Sequence, residues 1–424
     1  MALPKKPEIL APAGSWAALR AALDAGADAV YFGARGLNMR ARADNFSPAS
    51  FPRIARICRD AGRRCYLALN TIIYQPEIAN VQRVLQRARD AGVDAVIAWD
   101  FAVIAAARRL GMRVHVSTQM SVANAESLLW LHRCLGARRF VLARECTLAD
   151  VRRIRRDLRE RIGKRSAAIE IEVVAHGAMC VSLSGRCFMS ELQYGSSANR
   201  GACCQPCRRE YEVSSVDGTA AFRIGRGYVM SPRDLCTLPF IDTLMEAGVD
   251  SLKIEGRSRS ADYAATVVGS YRRAVDFYCA RRGRRHFRGE FEALKRAETA
   301  RLERVYHRGF SSGFYMGRPV ADWADGPGSR SSVRRDYVGR VVKHYPRAGV
   351  SEIMVESTAF RRGDTLVIEG PATGVIEQVA ESMEIQHERA EVARKGQAIA
   401  LKTARPARKN DRVYVLRARA MKGQ

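Results

Sequence analysis

Six of the eleven cysteines fall between His176 and Ser251, in a stretch rich in glycine and serine. They occur as His176-Gly-Ala-Met-Cys180, Ser184-Gly-Arg-Cys187, Asn199-Arg-Gly-Ala-Cys203-Cys204-Gln-Pro-Cys207 and Ser231-Pro-Arg-Asp-Leu-Cys236. Thiolates are soft donors suited to iron–sulfur clusters or zinc. Glycines beside them let the backbone bend closely around a cluster and leave N–H groups free for its sulfides. The Cys-x6-Cys spacing of Cys180 and Cys187, and the Cys-x3-Cys spacing of Cys203 and Cys207, differ from the paired Cys-x-x-Cys knuckles of a zinc ribbon. Cys204 adjoins Cys203 and in an extended segment points to the opposite side, so it is set aside. Cys58, Cys65, Cys134, Cys146 and Cys279 lie alone and read as small buried hydrophobes. A nucleophilic pair of Cys180 with His176 is the second reading, but it leaves the other cysteines of the segment without a purpose.

These residues need a scaffold, and the first 257 residues supply a repeating one: a short β-branched run, a turn, then an amphipathic helix. Strands are predicted over Glu8–Ala13, Ala29–Gly33, Cys65–Asn70, Ala95–Asp100, Val114–Gln119, Phe140–Glu145, Ile169–His176 and Ser251–Glu255, with helices such as Ser15–Ala25, Phe51–Ala61 and Ile78–Ala91 between them. Near-continuous apolar strands alternating with helices imply a parallel sheet covered by helices. Eight such units fit a closed (β/α)8 TIM-type barrel better than an open doubly wound sheet. The open sheet's Gly-x-Gly-x-x-Gly fingerprint does not follow the first strand. The expected organisation is α/β: a barrel over 1–285 with a Cys-rich insertion over 177–250, a helical connector and linker over 286–335, and a small antiparallel β-barrel over 336–424.

Barrel active sites lie at the carboxyl ends of the strands. Asn70, Asp100, Gln119, Glu145, His176 and Glu255 end strands here, and Arg35 and Arg257 follow closely. Glu145, Glu172, Glu255 and His176 are therefore candidates for acid–base roles, Glu172 by side-chain alternation alone. Arg35, Arg40, Arg42 and Arg257 are candidates for carboxylate binding, because guanidinium forks match carboxylates. Asn70 and Gln119 complete the candidate substrate pocket.

Lysine and arginine total 71 against 44 acidic residues, a net charge of +27, which favours a polyanionic partner such as RNA over a small neutral one. Arg152–Arg165 and Arg281–Arg288 are basic runs that read as solvated helix faces. No stretch approaches the roughly 18 apolar residues of a membrane span. Met1-Ala-Leu-Pro-Lys-Lys lacks an apolar signal core, so a cytoplasmic location is expected. The chain offers neither a convincing Ser-His-Asp set nor His-Glu-x-x-His.

The stretches Glu8-Ile-Leu-Ala-Pro-Ala-Gly-Ser, Ala25-Gly-Ala-Asp-Ala-Val-Tyr-Phe-Gly33, Glu172-Val-Val-Ala-His-Gly-Ala-Met-Cys and Lys253-Ile-Glu-Gly-Arg257, with the cysteine runs above, resemble peptidase family U32, the collagenase-like group. The resemblance implies a 4Fe–4S cluster on four cysteines. It also implies hydroxylation, without dioxygen as donor, of tRNA wobble uridine, rRNA cytidine or ubiquinone precursors. Prephenate is the oxygen donor implied for the tRNA branch. Carried over residue by residue, Cys180, Cys187, Cys203 and Cys236 are the expected ligands, with Cys207 as a substitute. The charge favours an RNA substrate, and a peptidase or a quinone-precursor hydroxylase is the alternative. A small carboxylate donor and an electron donor or partner subunit complete the expected partners.

Overall fold

The computed structural model describes residues 5–41, 43–214, 216–218, 221–223, 230–319 and 322–419. Eight strands, Glu8–Pro12, Ala29–Gly33, Arg64–Ala68, Ala95–Ala98, Arg113–Val116, Arg139–Val141, Glu170–Gly177 and Ser251–Ile254, pair in parallel in chain order. The last strand pairs with both the first and the seventh, so the ring closes. This is the TIM-type barrel expected from the alternating pattern, and each strand lies where the apolar runs placed it.

The Ala-Gly-x-Asp segments between helix and strand do two jobs. Glycine turns the chain out of the helix, and the aspartate reaches sideways to a neighbouring strand. Asp28 accepts from the N–H of Ile9, Asp94 from that of Cys65, and Asp250 from that of Ile171, each at 2.8 Å. These bonds satisfy strand N–H groups that would otherwise be unpaired at the amino-terminal rim. Arg155, inside the basic run of helix Leu148–Ile162, is not solvated. It donates to the carbonyls of Gly248 and Ile169 and pairs with Asp250.

The barrel interior is only partly apolar. Leu10, Tyr31, Tyr66, Ala68 and Ile97 form a small inner cluster, whereas the larger core lies between strands and helices. Below the inner cluster, Glu8 binds Arg64 and Arg139 at 2.5 Å each and accepts from the Tyr66 hydroxyl at 3.0 Å. Arg139 also lies 3.6 Å from Glu172, which accepts from Lys253 Nζ at 3.2 Å and Ser251 Oγ at 3.3 Å.

After the seventh strand the chain leaves the barrel as the Cys-rich insertion and returns through Asp234–Cys236, antiparallel to that strand's end. Phe310–Ser311 then adds in parallel to Asp234–Leu235, and the Tyr315 hydroxyl donates to the Val174 carbonyl at 2.8 Å. The stretch expected to be a linker is therefore docked against the barrel at its beginning. The connector helix spans Phe287–Leu302, and helix Ala261–Arg281 packs along the barrel.

The β-rich tail forms an eight-stranded antiparallel sheet around its own core of Val338, Ile353, Leu366, Ile399, Val413 and neighbours. It includes Gly374–Val379 and Met383–Ile385, which the sequence reading did not pick out. Arg335 joins Asp262 to Glu369, and Arg405 pairs with Asp24 at 3.0 Å, so the tail rests on the barrel's outer helices. Among the described residues no helix is long and apolar enough to cross a membrane.

Removing one partner from a buried ion network leaves the others uncompensated, at a cost of roughly 3–5 kcal/mol. Arg139→Ala strands Glu8 and Glu172 and is expected to lower the unfolding free energy by about that amount in urea titration. The exposed Arg152→Ala should stay within about 0.5 kcal/mol of the parent. Equal stability of the two variants would contradict this account of the barrel interior.

Candidate functional site

A cavity of about 470 Å³ opens at the carboxyl end of the barrel, between the strand ends and the insertion. Its floor comes from Tyr31, Asn70, Ser117, Gln119, Val174, Lys253 and Glu255, and its wall from Cys180, Cys187, Cys203, Cys204 and Cys207. Among the described residues none beyond Arg308 lines it, so the described part of the β-rich tail stands apart from the site.

The insertion is tied to the barrel at several points. Glu145 accepts from the Ser184 N–H at 2.7 Å and its hydroxyl at 3.0 Å. Arg208 donates to the Met179 and Pro232 carbonyls and to Ser231 Oγ, joining the two ends of the insertion. Arg200 pairs with Glu77. Gly201, at φ +89°, sits so close to the loop after the second strand that a Cβ there would lie 2.2 Å from the Asn38 carbonyl oxygen. Only glycine fits this contact.

Backbone N–H groups point at three of the thiols. Ser182 donates to Cys180 Sγ at 3.5 Å, Met189 to Cys187 Sγ at 3.4 Å, and Gln205 to Cys203 Sγ at 3.4 Å. Each donor lies two residues after its cysteine. Backbone N–H groups aimed at sulfur in this way also surround thiolate-held metal centres. Cys207 is raised by burial and by Cys180, Cys203 and Cys187, against the lowering effect of Arg208. Several sulfurs on one wall are a donor set of the kind that holds a soft metal centre. Among the described residues no three His, Cys, Asp or Glu side chains are close enough to hold one ion. A cluster in which each thiolate binds a separate iron takes soft sulfur donors, and the cysteines that line one wall are donors of that chemistry.

The remaining predicted residues divide. Arg40, Asn70, Gln119, Glu255 and Arg257 line the cavity. Arg40 donates to Glu255 at 3.0 Å, the Tyr31 hydroxyl to Glu255 at 3.2 Å, and Arg257 to Asn38 at 3.0 Å. Burial alone would raise Glu255, but Arg40, Arg257, Arg144 and Lys253 together bring it down to about 2.

Arg35 is exposed and away from the cavity, and Arg42 lies outside the described residues. Glu172 belongs to the ion network beneath the floor, and Glu145 anchors the insertion; neither lines the cavity. His176 faces outward against Tyr271 and Phe310, its ring centroid 5.6 Å and 5.7 Å from theirs. The cause is a register shift: Lys253 is opposite Val174 but Ile254 is opposite His176, so strand alternation breaks at Ala175. Burial, then His307, lowers His176 to about 3. It is therefore neutral and stands apart from Cys180, which lines the cavity.

Cys236 is opposite His176 on the strand behind the site. Burial, above all, raises it to about 12, and it does not line the cavity. Cys204, set aside on alternation, does line it, because the chain at Gln205 turns through φ +56° instead of running extended. Cys134 and Cys279, read as buried, are exposed.

Tyr31, Lys253, Arg144, Arg208, Arg259 and Arg308 also line the cavity and escaped the sequence reading. Tyr31 and Lys253 were recoverable by counting inward-facing positions on the second and eighth strands. Arg144, Arg208 and Arg259 stand beside the named Glu145, Cys207 and Arg257, whereas Arg308 reaches the cavity from a distant loop with no local signal. With Arg40 and Arg257, seven cationic side chains face one carboxylate, Glu255.

The model of peptidase family U32 matches residues 14–325. The chain belongs to this family. Among U32 relatives, a collagenase of Porphyromonas gingivalis strain W83 is 42% identical over 96% of this chain and 97% of its own length. The tRNA hydroxylation protein P1 of Bacillus subtilis is 32% identical over 87% of this chain and 84% of its own. The 23S rRNA 5-hydroxycytidine C2501 synthase of Escherichia coli is 32% identical over 73% of this chain but 45% of its own.

Glu255→Gln removes the one carboxylate in the cavity lining among the described residues, which Arg40 pairs with directly, and is expected to cost on the order of 3 kcal/mol at neutral pH. Because the folded-state pKa lies below the unfolded value of roughly 4.3, the wild-type contribution is complete above that pH. It is lost as pH falls through about 2. Denaturant melts of wild type and variant should converge between those limits, and a constant gap down to the lower one would contradict the assignment.

Proposed function

We propose that this U32 protein is an RNA-modifying enzyme that hydroxylates a tRNA or rRNA base, with Cys180, Cys187, Cys203 and Cys207 holding a 4Fe–4S cluster. The observation that carries the reading is one wall of cysteines, three bearing backbone N–H donors, facing a cavity lined by seven cations and one carboxylate. The names of the Bacillus and Escherichia relatives supply the reaction class.

When bound, such a cluster supplies one-electron chemistry at the cavity wall. The chain's own residues supply binding and orientation. The Nε atoms of Arg144, Arg257 and Arg308 are buried without a hydrogen-bond partner among the described residues. Arg144 donates to the Ala178 carbonyl, Arg257 to Asn38, and Arg308 pairs with Asp234; guanidinium groups lining a cavity in this way suit phosphate or a small carboxylate donor such as prephenate. Asn70, Ser117 and Gln119 offer amide and hydroxyl groups to base edges on the floor. Glu255, held ionised by Arg40 and Arg257, fixes those cations and is poorly placed to carry a proton near neutral pH.

The name of the Porphyromonas relative favours a peptidase. Against that reading, the cavity lining contains serines and cysteines but no histidine, and His176 is buried behind it. An apolar quinone precursor fits a wall of arginines less well than a polyanion does.

Anaerobic purification with iron and sulfide quantitation tests the centre. About four of each per chain are expected, with loss in the alanine variants of Cys180, Cys187, Cys203 and Cys207 and retention in Cys236→Ala. Iron lost only in Cys236→Ala would overturn the ligand set. Mass spectrometry of tRNA and rRNA nucleosides after deletion of the gene tests the reaction. An unchanged profile would sink the RNA reading.

A further inference from the structure

We propose that the outer lip of the cysteine insertion is a stacking platform for the unpaired bases of an RNA loop, an inference that rests on the RNA reading above. The insertion carries large apolar side chains in water beside its thiols. Leu183 is 56% exposed, Phe188 65%, Leu192 86% and Tyr194 38%. Phe188 directly follows Cys187, a cavity-wall residue, so the apolar lip and the cavity are continuous along the chain. The short helix Met189–Tyr194 packs inward on the turns Ala198–Arg200 and Pro206–Arg208. Its outer residues are left uncovered.

Two aromatic rings of this region carry a guanidinium over them. Arg209 lies 5.1 Å from the ring centre of Tyr194. Arg200 lies 5.2 Å from that of Tyr74, which is 56% exposed on the loop after the third strand. Arginine near an aromatic ring brings a flat cation to the stacking surface; here Arg209 does so at Tyr194, whereas the charge of Arg200 is shared with Glu77. That combination suits a nucleobase followed by its phosphate.

Charge decides between occupants. A surface meant only for an apolar protein face has no use for cations beneath its rings or for seven more in the adjoining cavity. A duplex is also a poor occupant, because its base faces are covered by stacking and the deep groove of A-form RNA is closed to side chains. A loop with splayed bases meets both features. The cavity, about 470 Å³, lies within the range of roughly 300–1,000 Å³ that takes one small ligand. One base enters, and its neighbours stack on Phe188, Tyr194 and Tyr74 outside. Specificity then comes from loop shape at the lip as well as from base edges on the floor.

The test uses the full chain and three fluorescein-labelled RNAs: a hairpin with an unpaired loop, the same hairpin with an abasic loop, and a blunt duplex of equal length. Wild type should bind the looped hairpin more tightly than the other two. Phe188→Ala and Tyr74→Ala should each weaken hairpin binding roughly 5- to 100-fold, the range of one base stack. They should leave duplex binding and the salt slope unchanged, since no phosphate contact is removed. Thermal melts matching wild type establish that these exposed substitutions fold. Hairpin affinity unchanged in both variants, or equal affinity for the abasic hairpin, would overturn the platform while leaving the RNA reading intact. A shift in solution mass on Phe188→Ala, with RNA binding unaltered, would assign the lip to a protein partner instead. Failure of wild type to bind any of the three RNAs would remove the RNA reading and this inference together.

Discussion

Charge inside the barrel is the constraint on which the site depends. Glu8, Arg139, Glu172 and Lys253 alternate in sign from the amino-terminal rim toward the floor of the cavity. Lys253 then lies 4.6 Å from the centre of the Tyr31 ring, and the Tyr31 hydroxyl reaches Glu255. A buried charge is tolerated only when paired, since the interior screens it far less than water does. The alternation therefore locks strands one, two, six, seven and eight together through side chains as well as backbone. At the top it ends in an excess of arginine. The interior charges are paired below, and arginine gathers again where the barrel opens to the cysteine insertion.

The same economy governs the insertion. The described part of the insertion that carries the cavity cysteines is tied down because its polar side chains reach rigid elements: Ser184 meets Glu145, Arg200 meets Glu77, and Arg208 meets the chain at Met179 and Pro232. The cysteines are thereby held by a frame that does not depend on them. A pre-positioned donor set limits the ordering cost of binding a metal centre.

Relatives with this fold carry both protease and hydroxylation names. A fold of this kind hosts many chemistries, so the site has to decide between them. The features that support the proposed hydroxylation are the sulfur wall, the cationic lining and the placement of His176 behind the sheet. The lip of exposed aromatic residues extends the same logic outward, from the atoms that react to the shape of the molecule presented to them.

Local pattern was enough to find the eight barrel strands, because an apolar run and an Ala-Gly-x-Asp turn act over a few residues and each aspartate finds a strand at the rim. The Cys-rich insertion was visible for a similar reason: glycine beside cysteine is a local signal. Alternation then misplaced particular side chains. Glu172 does point inward, as parity requires, but to an ion network below the cavity floor. His176 turns out of the barrel at a one-residue register shift that only the partner strand reveals. Cys236 is near the other cysteines in sequence, yet the strand that carries it lies behind the site. Arg144, Arg208 and Arg308 reach the cavity from separate loops. Sequence by itself determined the elements and the chemistry they carry, since both are written in neighbouring residues. Which groups share a cavity was decided by strand register and loop docking, which join residues far apart in the chain.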